Sequence, residues 1–155
     1  MPQSLKDKLV IASESSILCP SNFTQLTISS YLADQPWRDQ IASFCELYKV
    51  RRDAMLESLE EYFPKEATWT KPGGGFYVWV TLPPEIDTTA LMPKAIVAKV
   101  AYVPGTAFYA DGFGSWSLRL SYCYPTPERI REGVKALGGV IKQEMASRKG
   151  FELKG

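Results

Sequence analysis

Residues Lys71 to Pro127, KPGGGFYVWVTLPPEIDTTALMPKAIVAKVAYVPGTAFYADGFGSWSLRLSYCYPTP, carry the pattern that decides the fold. In the run Ser117-Leu118-Arg119-Leu120-Ser121-Tyr122, an extended backbone puts Leu118, Leu120 and Tyr122 on one face and Ser117, Arg119 and Ser121 on the other. A short strand with an apolar inner face follows, and the Arg119 guanidinium points away from the core. A planar fork of donors at a fixed place on a strand suits a carboxylate, which it grips through two parallel hydrogen bonds. Arg119 is therefore the candidate substrate-binding residue. The strand taken alone favours a solvated surface arginine, since arginine is mostly a surface residue; the surrounding sequence shifts that balance.

Working outward, Thr68-Trp69-Thr70 and Phe76-Tyr77-Val78-Trp79-Val80 are aromatic and β-branched, and the glycines Gly73 to Gly75 turn the chain between them. Pro83-Pro84 ends the second strand. Asp87 is placed to cap a helix from about Thr88 to Lys99, shortened or kinked by Pro93, and Val100 to Val103 reads as a strand stopped by Pro104-Gly105. A final helix opens at Thr126-Pro127-Glu128 and runs to about Ser147 on a stripe of Ile130, Val134, Leu137 and Ile141. Upstream, a modest helix covers Ser4 to Ser15, and a second runs from a Ser21 or Asn22 cap to Ala33. Asp34-Gln35-Pro36 then starts a helix reaching Phe63; about 27 residues would span roughly 40 Å. The expected architecture is α/β: a two-layer sandwich in which a sheet of three to four strands carries helices on one face, preceded by this long helix.

Composition narrows the function. The 155 residues hold 18 Lys plus Arg against 17 Asp plus Glu, so a net charge of +1 supplies no field for nucleic acid or an anionic membrane. Histidine is absent, which removes histidine-based triads, histidine general bases and imidazole zinc sites; no metal site is expected. Cys19, Cys45 and Cys123 are odd in number and widely spaced, as expected of buried thiols in a reducing compartment. No run approaches the length of a membrane span or a signal peptide, so a cytoplasmic location is expected.

Four motifs in order, Tyr48-Lys49-Val50-Arg51-Arg52-Asp53-Ala54-Met55-Leu56, Pro72-Gly73-Gly74-Gly75-Phe76-Tyr77-Val78-Trp79, Val103-Pro104-Gly105-Thr106-Ala107-Phe108 and Leu118-Arg119-Leu120-Ser121, resemble the C-terminal part of class I/II aminotransferases. These are the fold-type I pyridoxal-phosphate enzymes, and the look is nearest to the branch of 2-aminoadipate aminotransferases and the aminotransferase-like domains of bacterial transcription regulators. The resemblance implies that Arg119 binds the substrate α-carboxylate and that Pro104-Gly105 shapes the mouth of the active site. It also implies that the long helix joins a large and a small domain. By the same token, residues 1–35 would be a remnant of large-domain or linker helices, 36–147 the small C-terminal domain, and 148–155 a loose tail. Arg51 and Arg52 read as a solvated helix face rather than as site residues.

The departures are as informative. The family's Schiff-base lysine sits in a serine-rich turn before a Pro-Gly-x-Arg-x-Gly stretch, and no lysine here has that context. The large-domain groups that hold the cofactor ring and phosphate are missing too. The resemblance thus implies an amino acid and a 2-oxo acid as substrates and pyridoxal 5'-phosphate as cofactor in a homodimeric full-length enzyme. No catalytic or cofactor-binding residue falls on this chain, which is expected neither to hold the cofactor nor to transaminate alone. Two other readings stand beside it. One is an effector-sensing or dimerisation domain of a transcription regulator. The other is an RNA-binding module, suggested by the aromatic run Phe76 to Val80 and opposed by the near-zero net charge.

Overall fold

The computed structural model describes residues 2–152, and the chain divides into two compact units, Met1–Ala42 and Ser43–Gly155. The first contains α1 (Gln3–Ile17), α2 (Asn22–Asp34) and the beginning of α3 (Trp37–Tyr62). Leu18, with φ at 60°, breaks α1, and the Ser21 hydroxyl caps α2 by accepting from the Thr24 amide at 3.4 Å. Asp34, read with Gln35-Pro36 as the start of the long helix, does not open α3. It is the last residue of α2, where its carboxylate accepts from the Ser30 hydroxyl at 3.2 Å, so the short-range partner one turn back wins over the helix that follows. No described residue of this unit is buried: Leu9, Phe23 and Leu26 all stand largely in solvent.

The second unit holds the core. After α3 come β1 (Thr68–Trp69), β2 (Tyr77–Thr81), α4 (Thr88–Val97), β3 (Val103–Pro104), a 3-10 turn (Gly105–Phe108), β4 (Ser117–Ser121) and α5 (Pro127–Glu152). The sheet order is β1-β2-β4-β3 and every pairing is antiparallel. Val78 and Val80 of β2 and Leu118 and Leu120 of β4 turn to one face, where they meet Met55 and Leu59 of α3, Leu91 and Ala95 of α4, and Ile130, Val134, Leu137 and Ile141 of α5. The helices cover that face alone. The alternation read from Leu118-Arg119-Leu120 therefore sorts the sheet into a packed side and an open one, each residue's side set by the period of two.

Local chemistry explains the boundaries. Asp87 caps α4, its carboxylate accepting from the Thr89 and Ala90 amides at 2.8 and 3.1 Å. The third strand differs from expectation: it is Val103–Pro104 rather than Val100 to Val103. The Val100 amide is used by the carbonyl of Ala95 at 2.9 Å, so this residue closes the end of α4 instead of joining the sheet. Pro104, which lacks an amide donor, is tolerated because β3 lies at the sheet edge. Of the three turn glycines only Gly75 has a positive φ, 88°, and there the missing side chain is required. Helix α5 continues past Ser147 to Glu152, and residues 153–155 lie outside the described part. The thiols also differ from expectation: Cys19 and Cys45 are exposed and Cys123 is half-buried, all three unpaired. Among the described residues, none of the acidic, cysteine or histidine side chains cluster as metal ligands would, and no helix is long and apolar enough to cross a membrane.

Thr88 is the polar rivet of this unit. Fully buried, its hydroxyl lies 2.8 Å from both the Ser115 and Ser117 carbonyls, and its own carbonyl accepts from the Tyr102 hydroxyl at 2.6 Å. Burial, assisted by the charge of Asp87, pushes the Tyr102 phenol from 10.0 up to about 12. Because the folded value lies above the unfolded one, the stability this phenol contributes is whole below pH 10 and drains away as pH rises toward about 12. Unfolding followed from pH 8 to 12 is expected to show that alkaline loss in the wild type and a flatter profile in Tyr102→Phe; equal slopes would dismiss this account.

Candidate carboxylate site on the open sheet face

The register pairs Arg119 with Trp79 on β2 and with Val103 on β3, so these three residues form one row across the open face. The Arg119 guanidinium carbon lies 4.0 Å from the Tyr77 ring centroid and 4.8 Å from that of Phe108. Tyr77 belongs to β2 and Phe108 to the 3-10 turn after β3, so the two rings arrive from opposite flanks of β4. Phe108 meets Trp79 edge-on at 5.3 Å, and Tyr109 approaches Trp79 at 6.3 Å. The result is a half-buried cation walled by aromatic rings.

Three arginines of the second unit are half-buried, and their partners separate them. Arg51 donates to the Cys123 carbonyl and faces the Tyr48 ring at 5.8 Å, while its Nε is buried without a partner among the described residues. Arg52 holds one carboxylate oxygen of Asp53 through Nε at 2.9 Å and a terminal nitrogen at 2.6 Å, and reaches the Pro72 carbonyl at 3.4 Å. Both were expected on a solvated face. The structure corrects this: they tie α3 to the segments after β4 and before β2, contacts that lie 72 and 20 residues away and leave no local trace in the sequence. Arg119 alone of the three donates no hydrogen bond and joins no ion pair among the described residues. The buried nitrogen without a partner belongs to Arg51, so the Arg119 donors stay open to an acceptor from outside the chain.

The backbone around this row is tight. A Cβ on Gly105 would fall on the Gly114 carbonyl and within 2.9 Å of the Ser117 Cβ and carbonyl oxygen. Gly114 has φ at 81°, and a Cβ there would strike the Tyr109 ring at 2.5 Å. Glycine at both positions lets the 3-10 turn close against β4 and set Phe108 over Arg119. Gly105→Ala is expected to cost about 1–3 kcal/mol in urea unfolding, whereas Gly73→Ala, facing open space, should stay within about 0.5 kcal/mol of wild type.

Lysines lie elsewhere. Lys94 pairs with Glu144 at 2.5 Å, Lys135 stands over the Tyr62 ring at 5.7 Å, and Lys49 and Lys142 are exposed on α3 and α5. Lys99 lines a cavity with Ile130 and Val134 on the helical side, and Lys65 and Lys71 line another beside Phe63 and Trp69.

Residues 2–137 match the family model of aminotransferase class I and II. The chain belongs to that family. Among curated aminotransferases, the aromatic-amino-acid aminotransferase 1 of Thermococcus litoralis is 46% identical over 138 residues, which are 89% of this chain and 33% of the relative. The solved multiple substrate aminotransferase of Thermococcus profundus superposes with a TM-score of 0.84 at 44% identity, covering 94% of this chain and 36% of that one. LysN, the alpha-aminoadipate aminotransferase of Thermus thermophilus, superposes with a TM-score of 0.78 at 34% identity, covering 94% and 37%. The chain thus spans about a third of the length of the aminotransferases it matches. The aminotransferase cofactor is pyridoxal phosphate, and the LysN structure holds N-(5'-phosphopyridoxyl)-L-leucine, the cofactor group joined to an amino acid.

Proposed function

We propose that this chain is the carboxylate-binding part of a pyridoxal-phosphate-dependent aminotransferase that moves an amino group between an amino acid and a 2-oxo acid. Arg119 grips the α-carboxylate that both substrates share. The observation that carries this is the half-buried guanidinium with rings against it and no acceptor from the described residues. The relatives' names point to different substrates, aromatic amino acids in one and alpha-aminoadipate in another, and the α-carboxylate is the group these substrates have in common.

The residues present do not fit the cofactor. The lysines with defined surroundings sit in ion pairs, on helix surfaces or against other cavities, not in the Arg119 row. The chain's own role is accordingly to bind and orient: Arg119 fixes the acid group, and the rings of Tyr77 and Phe108 flank the guanidinium that does so. The cofactor, when bound in the whole enzyme, supplies the electron sink for amino-group transfer. We place that whole enzyme in the cytoplasm as a homodimer.

Two measurements test the reading. Pyruvate titrated into the isotope-labelled chain is expected to shift the Arg119 and Trp79 resonances saturably; absence of a saturable shift there would refute the clamp. Pyridoxal phosphate mixed with the chain and passed through gel filtration is expected to leave no absorbance band near the visible edge, and a retained band would show that this chain holds the cofactor after all.

A further inference from the structure

Arg119 is a long side chain held in place without a single hydrogen bond from the described residues, so something other than polar contacts must fix it. The rings do so. Tyr77 lies diagonally across from Arg119, since β2 pairs Trp79 with Arg119 and Tyr77 with Ser121, and it reaches the guanidinium at 4.0 Å. Phe108 approaches from the β3 side at 4.8 Å and is itself braced edge-on by Trp79 at 5.3 Å. A guanidinium set against π-faces gains cation–π attraction while its N–H bonds, which lie in its own plane, remain uncommitted. Ring contacts thus restrain the fork without consuming the donors it needs.

Resting on the carboxylate reading above, we infer that Tyr77 and Phe108 are positioning residues that hold the Arg119 fork in a carboxylate-ready orientation before any ligand arrives. An arginine loses considerable rotamer freedom when it is immobilised. Spending that freedom in the folded chain means the incoming acid group does not have to, and affinity rises without a new contact to the ligand. Tyr77 and Phe108 are 43% and 46% exposed, so their rings are spread over the open face and contribute little to the packed core. That exposure makes a purely structural role a poor explanation and makes the variants suitable for test.

The experiment compares Tyr77→Leu, Phe108→Leu, Tyr77→Phe and Arg119→Met in the full chain. Pyruvate affinity and the Arg119 Nε–H resonance are read by NMR. Each leucine variant is expected to weaken pyruvate binding about three- to tenfold and to move the Nε–H signal toward that of a free arginine as the ring current is lost. Tyr77→Phe, which keeps the π-face and loses only the hydroxyl, is expected to match wild type in both readouts. Leucine variants that bind pyruvate as wild type does, while Arg119→Met does not bind, would overturn the positioning role and leave the clamp standing. An Arg119→Met chain that binds as wild type would instead overturn the clamp. If a leucine variant melts early, the heteronuclear NOE of the Arg119 Nε–H at a temperature where the variant is folded still decides, because it reports how well the fork is held and not the ring current: a fall to the value of a free arginine supports the positioning role, and a value equal to wild type overturns it.

Discussion

Arg119→Met is expected to lower the affinity of the chain for pyruvate by at least about thirtyfold. Removing one partner of a hydrogen-bonded charge pair costs about 2–5 kcal/mol when the pair is desolvated, and 1.4 kcal/mol is a factor of ten. The lower end applies here because the guanidinium is only half-buried. Methionine keeps an unbranched apolar stem on β4 but ends short of the guanidinium that meets Tyr77 and Phe108, so both the donors and the charge vanish while the strand position stays filled. Arg119→Lys keeps the charge but replaces a rigid fork by a point, and should fall between the two. The ordering wild type, lysine, methionine is the signature of a bidentate clamp. Equal affinities for lysine and wild type would mean that the charge acts only at a distance, and equal affinities for all three would remove Arg119 from the site.

The strand that places Arg119 was legible because β-structure has a period of two: Leu118, Leu120 and Tyr122 demanded one face and left Arg119 the other. The caps at Ser21 and Asp87 were legible for a similar reason, since a capping side chain reaches only two or three residues ahead. What sequence could not show are partners distant along the chain. Arg51 and Arg52 looked like a solvated pair on an amphipathic helix, yet the Cys123 and Pro72 carbonyls that bind them are brought near only by the finished fold. Phe108 escaped for the same reason. Its run, Val103-Pro104-Gly105-Thr106-Ala107-Phe108, signals a turn, but the approach of its ring to Arg119 depends on β3 pairing with β4 and on Gly105 lying against Gly114. The edge strand β3 was expected to begin three residues too early because Val100 is β-branched and apolar like a strand residue, while its amide is claimed by α4.

Tyr122→Ala is expected to destabilise the second unit by about 3–5 kcal/mol, and Tyr122→Phe by less than about 1 kcal/mol. Tyr122 is 1% exposed and heads the side chains that are fully buried by volume. It sits one residue past β4, where its amide donates to the Phe76 carbonyl at 3.0 Å and so extends the pairing with the β2 side. Truncation to alanine removes the ring from a core that is close-packed against α3 and α5, and the void left behind adds to the lost transfer energy. The hydroxyl contributes far less. It reaches the Gly74 carbonyl at 3.4 Å, a long contact that phenylalanine gives up at small cost. Chemical denaturation of the two variants separates these contributions, and the alanine variant should also shift the Arg119 resonances, because Tyr122 anchors the end of the strand that carries the guanidinium. Comparable midpoints for alanine and phenylalanine would mean that the hydroxyl rather than the ring secures this end of the sheet.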